Sequence, residues 1–252
     1  MTFILAVLAA LALAGNAVAA ESTAPDCEVP ERLIPAETDL ARVSKEVNDR
    51  HRLDISVVGS RSSALSGPDG ARFAYPAQLE LALKERLPGN EIKVTAHISS
   101  GQTTAEMAQG LPKILAEDHP ALVVWQAGTV DALRGVETED FRNSLDQGLD
   151  TIAAADADAV LMNMQYSPRT DSMLSVTPFA DVMRWVADQR GAVLFDRLGI
   201  MHYWSDEGTF DLYTATTGYA MARRVHECIG RALASQIINA ARLDAAKQQT
   251  TR

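Results

Sequence analysis

The sequence predicts an α/β domain, a parallel sheet with helices on both faces, and three observations carry that reading. Five strand-like segments alternate with helical stretches at short spacing, which is the pattern of strands joined by crossover helices. The inner strand candidates, Leu122-Val123-Val124 and Val160-Leu161-Met162, are continuous apolar runs, as strands buried on both faces should be. With 252 residues, 47% of them hydrophobic, the chain can bury a sizeable core.

The elements follow in order. A lead containing Pro25, Pro30 and Pro35 precedes a first helix over residues 38–49, where Leu40, Val43 and Val47 share one face. Strands are expected over residues 54–58, 91–98, 121–126, 159–164 and 192–196. Helices are expected over 76–86, 104–117, 140–155 and 177–189, with a long last helix over 217–243 and a polar tail. Pro76 suits a first helical turn, where an N–H is not needed. Pro112 lies inside a helix and should kink or divide it. No repeat or linker interrupts residues 21–252, which read as a single domain.

Residues 1–20 are uncharged and mostly Leu, Ala and Val, closing on Asn16-Ala17-Val18-Ala19-Ala20. That is the apolar run and cleavage site of a secretory signal, cut near Ala19 or Ala20. An uncleaved anchor helix is the alternative, since the run is long enough to span. The mature protein is therefore expected in the periplasm or outside the cell. In such an oxidising compartment Cys27 and Cys228, the two cysteines of the chain, should form a disulfide. Neither has a His or second Cys at ligand spacing, so no metal site is expected. A formal charge of -10 excludes nucleic acid and anionic membrane surfaces as partners, because both demand a clustered basic face.

In a parallel sheet, every loop leaving a strand's carboxyl end opens at one edge, where α/β folds place their chemistry. The loop after the first strand reads Gly59-Ser60-Arg61-Ser62-Ser63-Ala64-Leu65-Ser66-Gly67 and crowds three hydroxyls together. After the second comes Ser99-Ser100-Gly101-Gln102-Thr103-Thr104, where Gly101 lets backbone N–H groups approach a ligand. The third loop carries Gly128-Thr129-Val130-Asp131, the fourth Gln165-Tyr166-Ser167-Pro168-Arg169, and a last one runs over residues 208–214.

These motifs resemble those of the SGNH/GDSL hydrolase family, and the resemblance covers nearly all of the mature region. It implies a three-layer α/β/α, flavodoxin-like fold around a five-stranded parallel sheet, and ester hydrolysis by Ser, His and Asp with no cofactor. The family's Gly-Asp-Ser-Leu block carries a Gly four residues after the nucleophile. Gly67 stands four after Ser63, which places Ser63 on the nucleophile, with Ser62 as the neighbouring alternative. Ser100-Gly101 is similar to the second block, and the Gly101 N–H would donate to the oxyanion. Gly128-Thr129-Val130-Asp131 is similar to the third, Gly-x-Asn-Asp, and puts Asp131 at the site. Tyr75-Pro76-Ala77-Gln78-Leu79 is similar to many bacterial members, and Tyr166 could line the cleft.

Two departures weaken the match. The oxyanion-donating Asn is Val130, and the His of the last block, Asp-x-x-His, is Thr214 although Asp211 is in place. A serine hydroxyl is a poor nucleophile until a base takes its proton, and losing that base lowers the rate by about 10² to 10⁴. A missing oxyanion donor removes roughly 10² to 10³ more. His202, with Asp206 nearby to orient it, is the substitute base expected in the loop before Asp211; His97 is a weaker one. His51, His119 and His226 read as loop or helix-surface residues.

Two functions follow. One is a serine esterase acting on a small ester or acylated carbohydrate, with Ser63, His202 and Asp211 as a weakened triad. The other is an inactive relative that binds an acylated carbohydrate or peptide without turnover.

Overall fold

The computed structural model describes residues 27–214 and 219–243; the expected signal segment, the first residues of the expected last helix and the polar tail lie outside them. After a 3-10 turn at Glu31–Leu33, α1 (Ala41–Arg50) leads into β1 (Arg52–Gly59) and a second 3-10 turn, Arg61–Ser63. Next come α2 (Gly70–Phe73), α3 (Tyr75–Arg86), β2 (Glu91–Ile98), α4 (Thr104–Asp118) and β3 (Leu122–Gln126). The middle of the chain forms α5 (Thr129–Arg134), α6 (Thr138–Ala154), β4 (Asp158–Met162) and α7 (Pro168–Asp171). It finishes through α8 (Thr177–Arg190), β5 (Val193–Phe195), α9 (Arg197–Asp206) and α10 (Ala220–Ala240).

The five strands are all parallel, in the order β2-β1-β3-β4-β5. The winding reverses between β1 and β3, so the loops leaving those strands diverge and open a crevice at the carboxyl edge. Side chains alternate across each strand, and the inner strands feed two cores. Leu53, Ile55, Val57, Leu122, Val124, Val160 and Met162 pack with α1, α3 and α10. Val58, Val123, Trp125 and Leu161 pack with α4, α6 and α8. The result is the three-layer α/β/α arrangement expected from the sequence.

Two features fix α10 near the crevice. A Cβ on Gly230 would stand 2.6 Å from Gln78 Cβ and 2.8 Å from α3 backbone, so α10 and α3 meet at a separation only glycine permits. Cys228 is joined to Cys27, 201 positions away in sequence, with Cα atoms 5.1 Å apart. A loop of that length contributes about 5 kcal/mol in the chain-entropy account of disulfides.

Three departures from expectation bear on the site and its surroundings. The stretch carrying His202, expected as loop, is the helix α9; Asp196 caps it by accepting the Gly199 N–H, and Ile200, Met201 and Trp204 bury one face. The residues after Gly128, also expected as loop, form α5. Pro112 does not divide α4, which is one helix of 15 residues. A reciprocal Thr103–Glu106 capping box starts it, and Met107, Leu111 and Leu115 anchor it in the core. Among the described residues, no helix is long and apolar enough to cross a membrane.

Candidate active site

The crevice is built around the end of β1. Gly59 ends the strand, and the 3-10 turn folds Ser63 back over it; a Cβ on Gly59 would lie 2.6 Å from Ser63 Oγ. Gln126, the last residue of β3, answers from the next strand. Its Oε1 accepts from the Ser60 N–H at 3.1 Å and from the hydroxyls of Ser60, Ser62 and Ser63 at 3.0, 3.1 and 3.1 Å. An amide oxygen has two lone pairs, so these donors share it and tie the whole turn to β3. With the Ser63 proton given to Gln126, the Tyr75 phenol, 3.0 Å away, donates to Ser63 Oγ. Burial pushes that phenol above its ordinary range.

Two more side chains close the network. The His226 Nδ1 accepts the Tyr75 N–H at 2.9 Å, which leaves the ring proton on Nε2. Burial, and next the charge of Arg197, hold His226 down at about 3, so the ring is neutral. Arg197 is 1% exposed. Its guanidinium donates to the Ser62 carbonyl at 3.0 Å and to Gln165 Oε1 at 3.4 Å, and lies 5.6 Å from the Tyr75 ring. Desolvation lowers it to about 10. No carboxylate among the described residues pairs with it. Arg197 Nε and Gln126 Nε2 are buried without hydrogen-bond partners among the described residues.

The crevice above this network has a volume of about 610 Å³, within the range of small-molecule sites. Ser60, Arg61 and Ser62 form one side, Ser100 and Gly101 another, and Val130, Gln165 and His226 complete the wall. A larger cavity, about 1020 Å³, lies around Arg52, His119 and Pro120, at the opposite edge of the sheet. Among its charged residues, Arg42–Asp156, Arg50–Glu46 and Arg52–Asp54 form ion pairs.

The expected site residues divide sharply. Gly101, at φ +81°, and Ser62 reach the crevice wall. Ser63 does not; it is 1% exposed, sealed between Tyr75 and Gln126. Asp131 is 1% exposed and accepts the N–H and hydroxyl of Thr104, tying α5 to the start of α4. Its carboxylate is occupied there and does not line the crevice. His202 sits on the outer face of α9, its Nδ1 2.8 Å from Asp206 and its ring against Tyr166. Tyr166 is buried under that ring, with its phenol pushed up to about 12 by burial and by Tyr213. Asp211 accepts the Tyr213 and Thr214 N–H groups, and Thr214 holds its carboxyl below the usual range. No hydrogen bond among the described residues joins Ser63, His202 and Asp211. Nor is His97 available, since it pairs with Asp118 at 2.6 Å. Gly218, part of the last expected block, lies outside the described residues.

Sequence reasoning missed Gln126, Tyr75, Arg197 and His226 as parts of the site. His226 was expected on a helix surface, yet it is 5% exposed. Its signal was available: it stands three residues before Ile229 and seven before Leu233, on the apolar face of α10. Gln126 was legible as a polar residue ending an apolar strand. Arg197 carried no local signal. Among the described residues, no group of three or more His, Cys, Asp or Glu could hold a metal ion.

A family model described as Non-GDSL lipase-like matches residues 26–243. Esterase TesA of Pseudomonas aeruginosa is 33% identical over 114 residues, 45% of this chain and 55% of TesA. The chain thus spans about half the length of that curated relative. A crystal structure of TesA matches with a TM-score of 0.57 at 26% identity, covering 73% of this chain and 99% of that one. A lipase/acylhydrolase from Enterococcus faecalis shares the fold, with a TM-score of 0.59 at 19% identity over 74% of this chain and 95% of that one.

Proposed function

Because the chain belongs to the Non-GDSL lipase-like family of SGNH/GDSL-type hydrolases, we propose that its crevice binds a small ester or an acylated carbohydrate or peptide without Ser-His-Asp turnover. One observation carries this reading. The Ser63 hydroxyl is buried and hydrogen-bonded to Tyr75 and Gln126, with no histidine on it among the described residues. A nucleophile needs a base within hydrogen-bond reach and room for the substrate; Ser63 has neither. Counted from Gly59 at the end of β1, the Gly-Asp-Ser-Leu block reads Gly59-Ser60-Arg61-Ser62. In that register an arginine stands where the hydroxyl would be. Val130 at the crevice wall offers no side-chain donor to an oxyanion. Family membership sets the fold, and these site residues decide the chemistry.

A second reading, ester hydrolysis by Ser62, is favoured by Ser62 and His226 lining the same crevice. Against it, the unprotonated nitrogen of His226 already accepts the Tyr75 N–H, which leaves a donor where a base is required. Export to the periplasm or beyond, with cleavage near Ala19 or Ala20, completes the proposal, and the Cys27–Cys228 bridge supports an oxidising compartment.

The test is hydrolysis of a short-chain aryl ester, beside the thermal shift given by an acetylated oligosaccharide. The binding reading expects no turnover above the blank and a ligand-dependent rise in Tm. Turnover abolished by Ser62→Ala would establish the second reading, and turnover abolished by Ser63→Ala would return Ser63 to the mechanism.

A further inference from the structure

We propose that the crevice selects an anionic amphiphile, a single alkyl chain ending in a carboxylate, whose head lies against Arg61 above the buried Arg197. The inference rests on the no-turnover reading of this crevice and goes beyond it, with a free carboxylate in place of an ester. The chain as a whole carries a formal charge of -10, yet the crevice wall holds Arg61 and Arg134 and no Asp or Glu. Arg134 is already shared with Glu106 at 3.3 Å. Arg61 is exposed and has no side-chain partner among the described residues, so its charge is available.

Beneath the wall the imbalance grows. Arg197 donates to the Ser62 carbonyl and Gln165 Oε1, two residues that themselves line the crevice. An arginine 1% exposed with no described carboxylate paired to it projects positive potential through that floor. Burying an unpaired charge is unfavourable, and an anion seated in the crevice would offset it. His226 adds a neutral Nε2–H donor at the same wall. The rest of the lining is aliphatic, with Ala64, Leu65, Val130, Leu133 and Ala222, and Leu133 is 60% exposed. A chain beside a charged head matches that division.

The experiment is calorimetric titration of the full mature chain with dodecanoate, 1-dodecanol and acetate, each below any micellar concentration, at low and high salt. Dodecanoate should bind about two- to fivefold more tightly than 1-dodecanol, the range one exposed charge pair supplies, and more tightly than acetate. Its advantage over the alcohol should shrink with added salt, because exposed charges are screened. Arg61→Glu should remove that advantage while leaving Tm unchanged, since Arg61 is exposed. Equal affinity for dodecanoate and the alcohol, or no dodecanoate binding, would overturn the proposal. Ester turnover would instead overturn the no-turnover reading, and the charge preference would still be judged by the dodecanoate and alcohol arms.

Discussion

The serine turn and the segment from His202 to Asp211 both carry residue types that ester hydrolysis uses, and the fold satisfies each of them at home. In the serine turn the hydroxyls converge on Gln126 and Tyr75 and are buried. In the second segment His202 pairs with Asp206 on an exposed helix face, and Asp211 closes a local turn. A catalytic serine, histidine and aspartate act as one unit because each is activated by touching the next. Here the two regions share an edge of the sheet without sharing a hydrogen bond, and placement without contact supplies no activation.

The contrast predicts unequal responses to mutation. Tyr75→Ala should cost about 3–5 kcal/mol by leaving a cavity at a fully buried aromatic, and Tyr75→Phe only about 1 kcal/mol for the lost hydrogen bond. Chemical denaturation of both variants measures the difference. Similar losses for the two would mean that the phenol oxygen, rather than the ring, dominates.

His226 supplies the next effect. Its folded value of about 3 lies below the ordinary 6.5, so the unfolded chain takes up a proton that the folded one refuses. Stability present above pH 6.5 is therefore lost as pH falls toward 3, by up to about 1.4 kcal/mol per unit. His226→Gln should flatten the profile between pH 6.5 and 5 relative to the parent. Parallel profiles would place the proton-linked loss elsewhere.

The smallest effect belongs to the exposed segment. His202→Ala should change stability by less than about 0.5 kcal/mol, as surface substitutions do, and should leave ligand binding in the crevice unchanged. A loss of binding in that variant would join the two regions after all.

Much of the fold was legible because burial leaves a periodic trace. The apolar runs of β3 and β4 and the stripe of α4 could be read directly, and the cysteine pairing followed from compartment and count. The site was less legible for a physical reason. A motif register such as Ser63 four before Gly67 places residues along the chain, whereas the direction of a side chain is set by the turn that follows Gly59. The 3-10 turn sends Ser63 inward and leaves Arg61 and Ser62 at the wall. Arg197 and His226 meet Tyr75 from helices over a hundred residues away in sequence, and local spacing holds no record of that meeting.

Treatment of the parent chain with a fluorophosphonate, read by intact mass and peptide mapping, bears most directly on the sealed Ser63. The account predicts an unmodified chain, because no hydroxyl in the crevice is activated. A stoichiometric adduct on Ser63 would contradict it.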